Sequence, residues 1–294
     1  MTADERSVES LYEQVRAVVP VHASPDAPVL ARVAPGVRVL ALRTPTLPPA
    51  AHTNVYLVGP DDGPVAVVDP GSPYPDQQAA LDAVLGEIGG LAVVLLTHHH
   101  GDHTGGAAAL AARWGVPIAA HPATARRLTG RVEVTRLVED GDVVHGATAV
   151  FTPGHADGHL CFEVGAATIA GDMVAGLGTI LIDPSEGDMA LYLASLERLL
   201  ARPPAVLLPA HGPAIPDGPA KLREYLAHRR MREDRVAAAL PAPGAGATID
   251  DLVARAYSDT PRALWPLAER SLRAHLDKLV REGRAREVAG RWST

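Results

Sequence analysis

The sequence predicts an α/β fold for most of the chain, followed by a small, mostly helical domain. Short apolar runs typical of buried strands alternate with helical patterns over residues 1–216. The clearest strand, residues 91–96, runs into a histidine-rich stretch and then into a Gly-Gly pair at the start of a helical pattern. A Pro/Gly-rich segment at 241–246 precedes a tail with two helical patterns and a hairpin pattern.

The predicted elements of the first region can be placed in order. Apolar stripes at helical spacing predict helices at 7–19, 77–87, 107–114 and 190–200. Alternating or continuous apolar runs predict strands at 37–42, 53–58, 65–69, 91–96, 116–120, 149–151, 160–164, 167–170 and 205–209. Asp-Asp-Gly at 61–63 predicts a hairpin between two of these strands, and the Pro-rich residues 44–51 predict a loop.

The histidine-rich stretch places four imidazoles and one carboxylate within six positions after a predicted strand. Imidazoles packed this closely favour a zinc site over a solvated loop. His98 and His100 alternate across one residue, so in extended backbone both side chains point the same way. Asp102 and His103 come after the turn and can face a second point nearby. One motif can therefore serve two metal ions, and ions about 3.5–4 Å apart can share an attacking oxygen.

Length and composition favour a packed protein with one large domain, or a large one and a small one. The chain has 294 residues, of which 47% are hydrophobic and 21% charged, which argues against disorder. Cys161 is the only cysteine, so no internal disulfide is expected, and a reducing, cytoplasmic compartment is favoured. The N-terminus lacks an apolar signal core, and no run of about 18 apolar residues occurs, so no membrane contact is predicted.

More polar residues stand at the ends of other predicted strands: Asp69, His155, Asp172 and His211. Asp69 begins an Asp-Pro-Gly turn, and a turn-forming role is its structural alternative. His159 lies close after His155 and is compatible with three roles: orienting a ligand, donating to substrate, or capping the next strand.

The pattern His-x-His-x-Asp-His, complete at residues 98–103, resembles the signature of the metallo-β-lactamase superfamily. This resemblance implies a metallo-β-lactamase-type four-layer αββα sandwich. It also implies two metal sites: His98, His100 and His155 for the first ion, and Asp102, His103 and His211 for the second, with Asp172 bridging them. Asp69 and His159 would brace these ligands from behind. Zinc is the favoured metal, although such ligands also accept manganese or iron.

The residue at the bridging position distinguishes subfamilies. Metallo-β-lactamases of the B1 and B2 classes carry a cysteine there, whereas this chain carries Asp172. The resemblance therefore implies a binuclear hydrolase rather than a typical β-lactamase. Its nucleophile would be a metal-bridging hydroxide, since zinc lowers the pKa of bound water to about 7. Asp102 and Asp172 are the predicted catalytic residues, relaying the proton to the leaving group.

The tail narrows the resemblance. Residues 217–243 predict a helical connector and linker, and residues 244–294 predict a winged-helix-like domain of two helices and a hairpin. Together with the upstream motifs, this order resembles the beta-lactamase-like protein 2 family, whose mitochondrial animal members are single-strand-selective endoribonucleases. The longer tail helix, residues 264–282, mixes both charges and has no Asn or Gln. We therefore expect the tail to serve as a packing or dimer surface rather than as a reader of base sequence.

Three functional hypotheses follow. Residues 220–294 carry 15 Lys and Arg against 10 Asp and Glu, whereas the whole chain has a net charge of −7. This basic tail favours a phosphodiester substrate resembling single-stranded RNA, with Arg229 and Arg230 binding phosphate. The alternative is a thioester or other acyl hydrolase resembling glyoxalase II, acting on a small molecule. The third hypothesis is a binding protein in which the winged helix reads DNA and the metal domain only senses a ligand. The complete set of metal ligands argues against it. A homodimer is compatible with all three.

Overall fold

Two stacked β-sheets form the centre of the computed structural model, which describes residues 3–21 and 28–294. The first sheet contains, in spatial order, β1 (Ala31–Ala34), β2 (Val37–Arg43), β3 (His52–Val58), β4 (Val65–Val68), β5 (Leu91–Leu95), β6 (Ile118–Ala120) and β7 (Arg136–Leu137). The second contains, in spatial order, β12 (Val206–Pro209), β11 (Ala167–Gly171), β10 (Leu160–Val164), β9 (Ala147–Phe151) and β8 (Val143–Val144).

The helices lie outside these sheets or in the tail. They are α1 (Ala3–Val18), α2 (Pro75–Ile88), α3 (Gly101–Thr104), α4 (Ala107–Trp114), α5 (Pro122–Leu128), α6 (Met189–Ala201), α7 (Gly218–Ala239), α8 (Ile249–Ala256) and α9 (Trp265–Arg281). The tail ends in the hairpin β13 (Arg286–Val288) and β14 (Arg291–Ser293). None of the helices in the described ranges is long and apolar enough to cross a bilayer. The cytoplasmic location stays a prediction.

Successive side chains of a strand point to opposite faces of its sheet, so each sheet packs on both faces and the layers of the fold result. In β3, Val55 and Leu57 face the cluster formed with α2 and α4, whereas Tyr56 and Val58 face the core between the sheets. The outer face of the second sheet packs on α6 and α7, and Cys161 is fully buried in this layer. The predicted four-layer αββα sandwich is therefore confirmed.

Strand direction brings several loops to one edge of the molecule. The predicted hairpin joins β3 to β4 in antiparallel pairing, while β4, β5 and β6 run parallel. In the second sheet β11 and β12 also run parallel. Parallel neighbours have their carboxyl ends on the same side, so the loops that follow them converge.

Some elements escape prediction from sequence because they lack a hydrophobic period. In β7 both residues are exposed, and β8 has only two residues, so neither shows an apolar alternation. Helix α5 begins with Pro122 behind His121, whose side chain accepts a hydrogen bond from the Ala123 amide at 3.2 Å. This capping contact gives His121 a structural role at the start of α5.

The tail folds against the connector helix. In α9, Leu272, Leu276 and Leu279 are buried, and they pack in one cluster with Val236 of α7 and Trp292 of β14. The apolar stripe of α9 is thus covered within the chain, which was one of the two possibilities raised by its sequence. Homodimer formation stays a prediction.

A buried ionic cluster ties α7 to the tail through Glu233, which is 7% exposed. The Nζ atom of Lys278 lies 2.9 Å from Oε1 and 2.8 Å from Oε2 of Glu233, and Arg284 Nη1 lies 2.8 Å from Oε1. Contacts with His275, Lys278 and Arg284 outweigh partial burial and lower the pKa of the Glu233 carboxyl to about 2.

We expect Glu233→Gln to lower the free energy of unfolding by about 1 kcal/mol at pH 7, because the partly buried Lys278 and the exposed Arg284 lose a buried carboxylate partner. A carboxyl whose pKa is depressed stabilises the fold above its unfolded-state pKa, near 4.5, and loses that contribution as pH falls towards 2. Urea unfolding should therefore show a smaller difference between the two proteins at pH 3.5. Glu224→Gln, on the exposed side of α7, is the control, and an equal effect there would contradict this role for Glu233.

Candidate metal centre

The candidate ligands lie on loops that follow four strands of the two sheets. The loop after β5 carries His98 and His100 and leads into α3, which contains Asp102 and His103. His155, Asp172 and His211 follow β9, β11 and β12, respectively. The fold therefore brings together all seven residues predicted as ligands, in two adjoining groups.

The first group consists of His98, His100, His155 and Asp172. His100 Nδ1 lies 2.9 Å from His98 Nε2 and 3.1 Å from His155 Nε2. Asp172 Oδ2 lies 3.5 Å from His155 Nε2. Three ring nitrogens and one carboxylate oxygen thus point at a common centre.

The second group consists of Asp102, His103 and His211. His211 Nε2 lies 3.5 Å from Asp102 Oδ2 and 3.5 Å from Asp172 Oδ1, and His103 Nε2 lies 3.6 Å from Asp172 Oδ1. Asp172 therefore turns one oxygen towards each group, which is the arrangement that a bridging carboxylate requires.

The other nitrogen of each ring is engaged by a neighbour, and this contact fixes the tautomer. In four of the ligand histidines this nitrogen is Nδ1. It lies 3.0 Å from Thr97 Oγ1 in His98 and 2.8 Å from Asp69 Oδ2 in His103. It lies 2.8 Å from the Leu181 carbonyl in His155 and 3.1 Å from the His52 carbonyl in His211. The nitrogen that faces the centre is left with a free lone pair in each case.

Two buried atoms test whether the residues fit metal ions. His103 Nε2 and Asp172 Oδ1 are inaccessible to solvent and have no hydrogen-bond partner among the described residues. Leaving such groups unsatisfied costs about 1–3 kcal/mol each, so native proteins rarely do it without a ligand. Both atoms lie where divalent ions would supply the missing partner. The His/Asp cluster therefore fits a binuclear centre.

Electrostatics keep two of the ligand rings neutral and the bridging carboxylate ionised. Burial and neighbouring imidazoles lower the pKa of His98 well below its usual value and that of His155 to about 4. Burial raises the pKa of Asp172, but His211 and His103 outweigh it and hold that pKa well below the usual value. Neutral imidazole and ionised carboxylate are the forms that bind metal.

Asp69 holds the metal loop from behind and belongs to neither ligand group. Its Oδ1 accepts the Thr97 amide at 2.8 Å, and its Oδ2 accepts the Thr97 hydroxyl at 2.6 Å and His103 Nδ1–H at 2.8 Å. Its φ of 53° is unusual for a residue other than glycine. These contacts match the bracing role that the resemblance implied.

His159 supports Asp172 through the backbone. Its Nε2 accepts the Asp172 amide at 3.1 Å, while its Nδ1 lies 2.8 Å from the Thr152 hydroxyl. Both ring nitrogens are therefore engaged, so of its three predicted roles the geometry matches orientation of a ligand. Gly171, whose φ is 48°, lies against the His159 ring: a Cβ added at Gly171 would be 2.6 Å from His159 Nε2.

A cavity of about 430 Å³ opens over the two groups and is lined mostly by apolar atoms. Its floor contains His100, Asp102, His155, Asp172 and His211. Its walls come from α1, the Pro-rich loop, the loop at 175–181, α7 and the tail, with Tyr12, Pro48, Ile180, Tyr257, Leu264 and Leu267 among the lining residues. The tail thus forms part of the cavity wall in addition to its packing role.

Comparison with known proteins agrees with this geometry. The profile of the metallo-beta-lactamase superfamily matches residues 48–211, more than half of the chain. The chain belongs to the metallo-β-lactamase superfamily. A second profile, for the beta-lactamase associated winged helix domain, matches residues 248–292. The resemblance inferred from the sequence is confirmed for both parts, and the chain is a hydrolase of this superfamily.

Relatives within the superfamily span most of the chain. A lactamase-like protein of Penicillium aethiopicum is 35% identical over 279 residues, covering 83% of this chain and 85% of its own. An atrochrysone carboxyl ACP thioesterase of Claviceps purpurea is 31% identical over 267 residues, covering 85% and 83%. A beta-lactamase-like protein 2 homolog of Drosophila melanogaster is 29% identical over 252 residues, covering 80% and 84%.

The superfamily fold is also seen in solved structures. A beta-lactamase domain protein of Burkholderia ambifaria superposes with a TM-score of 0.77 at 22% identity, covering 92% of this chain and 95% of its own. At this identity the likeness concerns the fold, including the tail that follows the sandwich.

The structure separates the two arginines predicted to bind substrate in this metallo-β-lactamase-fold protein. Arg229 is buried and lines the cavity. Arg230, the next residue of α7, lies outside the cavity lining, and its exposed guanidinium pairs with Glu197 at 2.7 Å. Adjacent helical residues point about 100° apart, so one of them turns away from the cavity. Its position argues against a substrate-binding role for Arg230.

No sequence motif points to Glu186, which the fold adds to the metallo-β-lactamase centre. Its Oε1 lies 2.7 Å from His100 Nε2, and its Oε2 lies 2.8 Å from His99 Nε2. Glu186 thereby accepts the His100 Nε2–H and leaves Nδ1 directed at the first ligand group. It lies in the loop before α6, 86 positions from His100, so only the tertiary structure reveals this contact.

Proposed function

We propose that the protein is a zinc-dependent hydrolase of acyl thioesters, the second of the two enzymatic functions raised by its sequence. The mostly apolar cavity directly above the ligand groups is the observation that carries this proposal. A mostly apolar cavity of this size suits a small organic acyl group, because its walls remove much of that group from water. The thioesterase named among the relatives supports the same substrate class.

A phosphodiester resembling single-stranded RNA fits the cavity less well. Such substrates are bound by a groove of available cations that follows the backbone. Two arginines of the cavity lining already have partners: Arg16 donates to the Pro45 carbonyl at 3.0 Å, and Arg232 pairs with Asp259 at 2.7 Å. The basic tail therefore supplies no row of unpaired cations along this cavity.

The proposed chemistry divides between the ligand set and the walls. Zinc ions held by the two groups would lower the pKa of water and polarise the thioester carbonyl. The apolar walls hold the acyl group and exclude bulk water, which strengthens electrostatic interactions in the site. Asp172 is ionised at neutral pH, as its lowered pKa indicates, and Asp102 is also ionised. Their oxygens can accept the proton of the attacking water. The thiolate that leaves needs little help, because thiols have a pKa near 8.5.

A substrate panel tests the proposal with the purified, zinc-loaded full chain. Its members are valeryl-N-acetylcysteamine, a single-stranded RNA oligonucleotide and bis-p-nitrophenyl phosphate. We expect kcat/KM for the thioester to exceed that for either phosphodiester by at least about 100-fold, a difference of about 3 kcal/mol in transition-state binding. Metal content is measured on the same preparation.

Asp172→Ala, assayed in parallel, controls for contaminating activity and should be inactive on the thioester. RNA cleavage without thioester hydrolysis would overturn the proposal in favour of the phosphodiester alternative.

A further inference from the structure

Arg229 is a buried cation at the wall of the cavity, with 3% of its surface exposed. Its Nη2 donates to the Ile180 carbonyl, and its guanidinium carbon lies 5.3 Å from the centre of the Tyr192 ring. Its buried Nε has no hydrogen-bond partner within the described part of the chain. A carbonyl and an aromatic face stabilise the charge in part but do not neutralise it.

The other arginines of this stretch of α7 differ in this respect. Arg230 pairs with Glu197, and both Arg232 and Arg235 pair with Asp259. Among the residues that the structure describes, none places a carboxylate within 4.0 Å of the Arg229 guanidinium. Arg229 is thus the most buried arginine of this set and the one without a counter-charge. A buried cation needs a counter-charge most, because burial removes its stabilisation by water.

We propose that Arg229 binds a carboxylate at the far end of the substrate's acyl group. The inference rests on the proposed thioesterase function and narrows its substrate class to monothioesters of dicarboxylic acids. The thioester carbonyl would lie over the ligand groups, and the distal carboxylate would complete the hydrogen bonding of the guanidinium. A carboxylate matches the planar donor geometry of arginine.

Because Arg229 is buried, we expect the anion that it binds to belong to the acyl part of the substrate rather than to the thiol part. Phosphates of a thiol carrier such as coenzyme A stay hydrated and would lie at the mouth of the cavity. A side chain that is 3% exposed is instead reached by the portion of the substrate that enters the cavity.

The experiment compares two thioesters that differ only in the distal carboxylate, glutaryl- and valeryl-N-acetylcysteamine, neither of which contains phosphate. With the zinc-loaded wild type we expect kcat/KM to be about 10- to 100-fold higher for the glutaryl compound, the value of one charge-assisted contact. Arg229→Gln should remove this preference by reducing glutaryl hydrolysis alone. Arg229→Lys should restore part of it.

Arg230→Gln is the matched control and should keep the wild-type preference, because that side chain pairs outside the cavity. Binding of glutarate and valerate, measured by calorimetry, gives a readout independent of turnover. One carboxylate of either acid can meet the metal centre, so only the second carboxylate of glutarate reports on Arg229. We expect glutarate to bind about 10- to 100-fold more tightly, and only when Arg229 is present.

The outcomes separate the two proposals. Equal hydrolysis and equal binding of the paired compounds by the wild type would overturn the role of Arg229 and leave the thioesterase proposal intact. An equal loss on both thioesters in Arg229→Gln would show a structural role instead. No thioester turnover, together with Arg229-dependent glutarate binding, would overturn the thioesterase proposal and the thioester substrate class, and would leave Arg229 as a carboxylate-binding residue. In a last comparison, the wild type could hydrolyse valeryl-coenzyme A faster than valeryl-N-acetylcysteamine, and Arg229→Gln could remove that difference. This result would show that Arg229 binds an anion on the thiol part of the substrate, and it would contradict the inference.

Discussion

Replacement of Asp172 by alanine is expected to abolish hydrolysis, with kcat falling about 1000-fold or more. The wild type should purify with about two equivalents of divalent metal, and the variant with about one or fewer. Asp172 directs Oδ2 at the first ligand group and Oδ1 at the second, so its loss affects both. Several kcal/mol of transition-state stabilisation depend on an intact centre, and each 1.36 kcal/mol is tenfold in rate. Metal analysis and steady-state kinetics on the same samples test this expectation.

Asp157→Ala serves as the matched control for this experiment. Asp157 lies two positions after His155 in the same loop, is exposed, and pairs with Arg127 at 3.2 Å. That variant should retain metal content and rate within about twofold, since exposed ion pairs contribute little. Full activity of Asp172→Ala with two bound metal ions would contradict the assignment of Asp172 as the bridging ligand.

Gly71→Ala is expected to produce the largest loss of stability, about 3 kcal/mol or more, together with loss of metal. An added Cβ at Gly71 would lie 1.7 Å from the Asp102 carbonyl oxygen and 2.9 Å from His103 Cα. Backbone atoms cannot rotate away as a flexible side chain can, so the loop that carries both ligands must move. Urea unfolding and metal content measure the two effects.

Gly101→Ala is the control, because it adds the same methyl group inside the metal motif itself. A Cβ at Gly101 meets nothing within 4 Å, and the backbone there has no positive φ. We expect unchanged metal content and a change in unfolding free energy within about 0.5 kcal/mol. If the two alanine variants lost metal and stability equally, close backbone approach at Gly71 would not be the reason for its glycine.

The ligand set could be predicted from the sequence because its information is local. His98 and His100 alternate on one extended segment, and Asp172 and His211 each follow an apolar run whose end marks a strand terminus. Parallel strands bring such ends to one edge, whereas the four-layer fold and the division of the ligands between two metal sites were implied by the resemblance of residues 98–103 to the superfamily signature. The apolar stripe of α9 likewise predicted a buried face, though not which element covers it.

Contacts between distant segments were decided only by the tertiary structure. Glu186 reaches His100 across 86 positions, and Arg229 and Arg230 are neighbours in sequence that face opposite environments. No local pattern distinguishes these arginines, because the direction of a helical side chain depends on where the helix docks. The apolar cavity has the same origin, since α1, the Pro-rich loop, α7 and the tail each supply part of its wall. The sequence by itself therefore determined the chemistry of the centre, and packing determined the space available to a substrate.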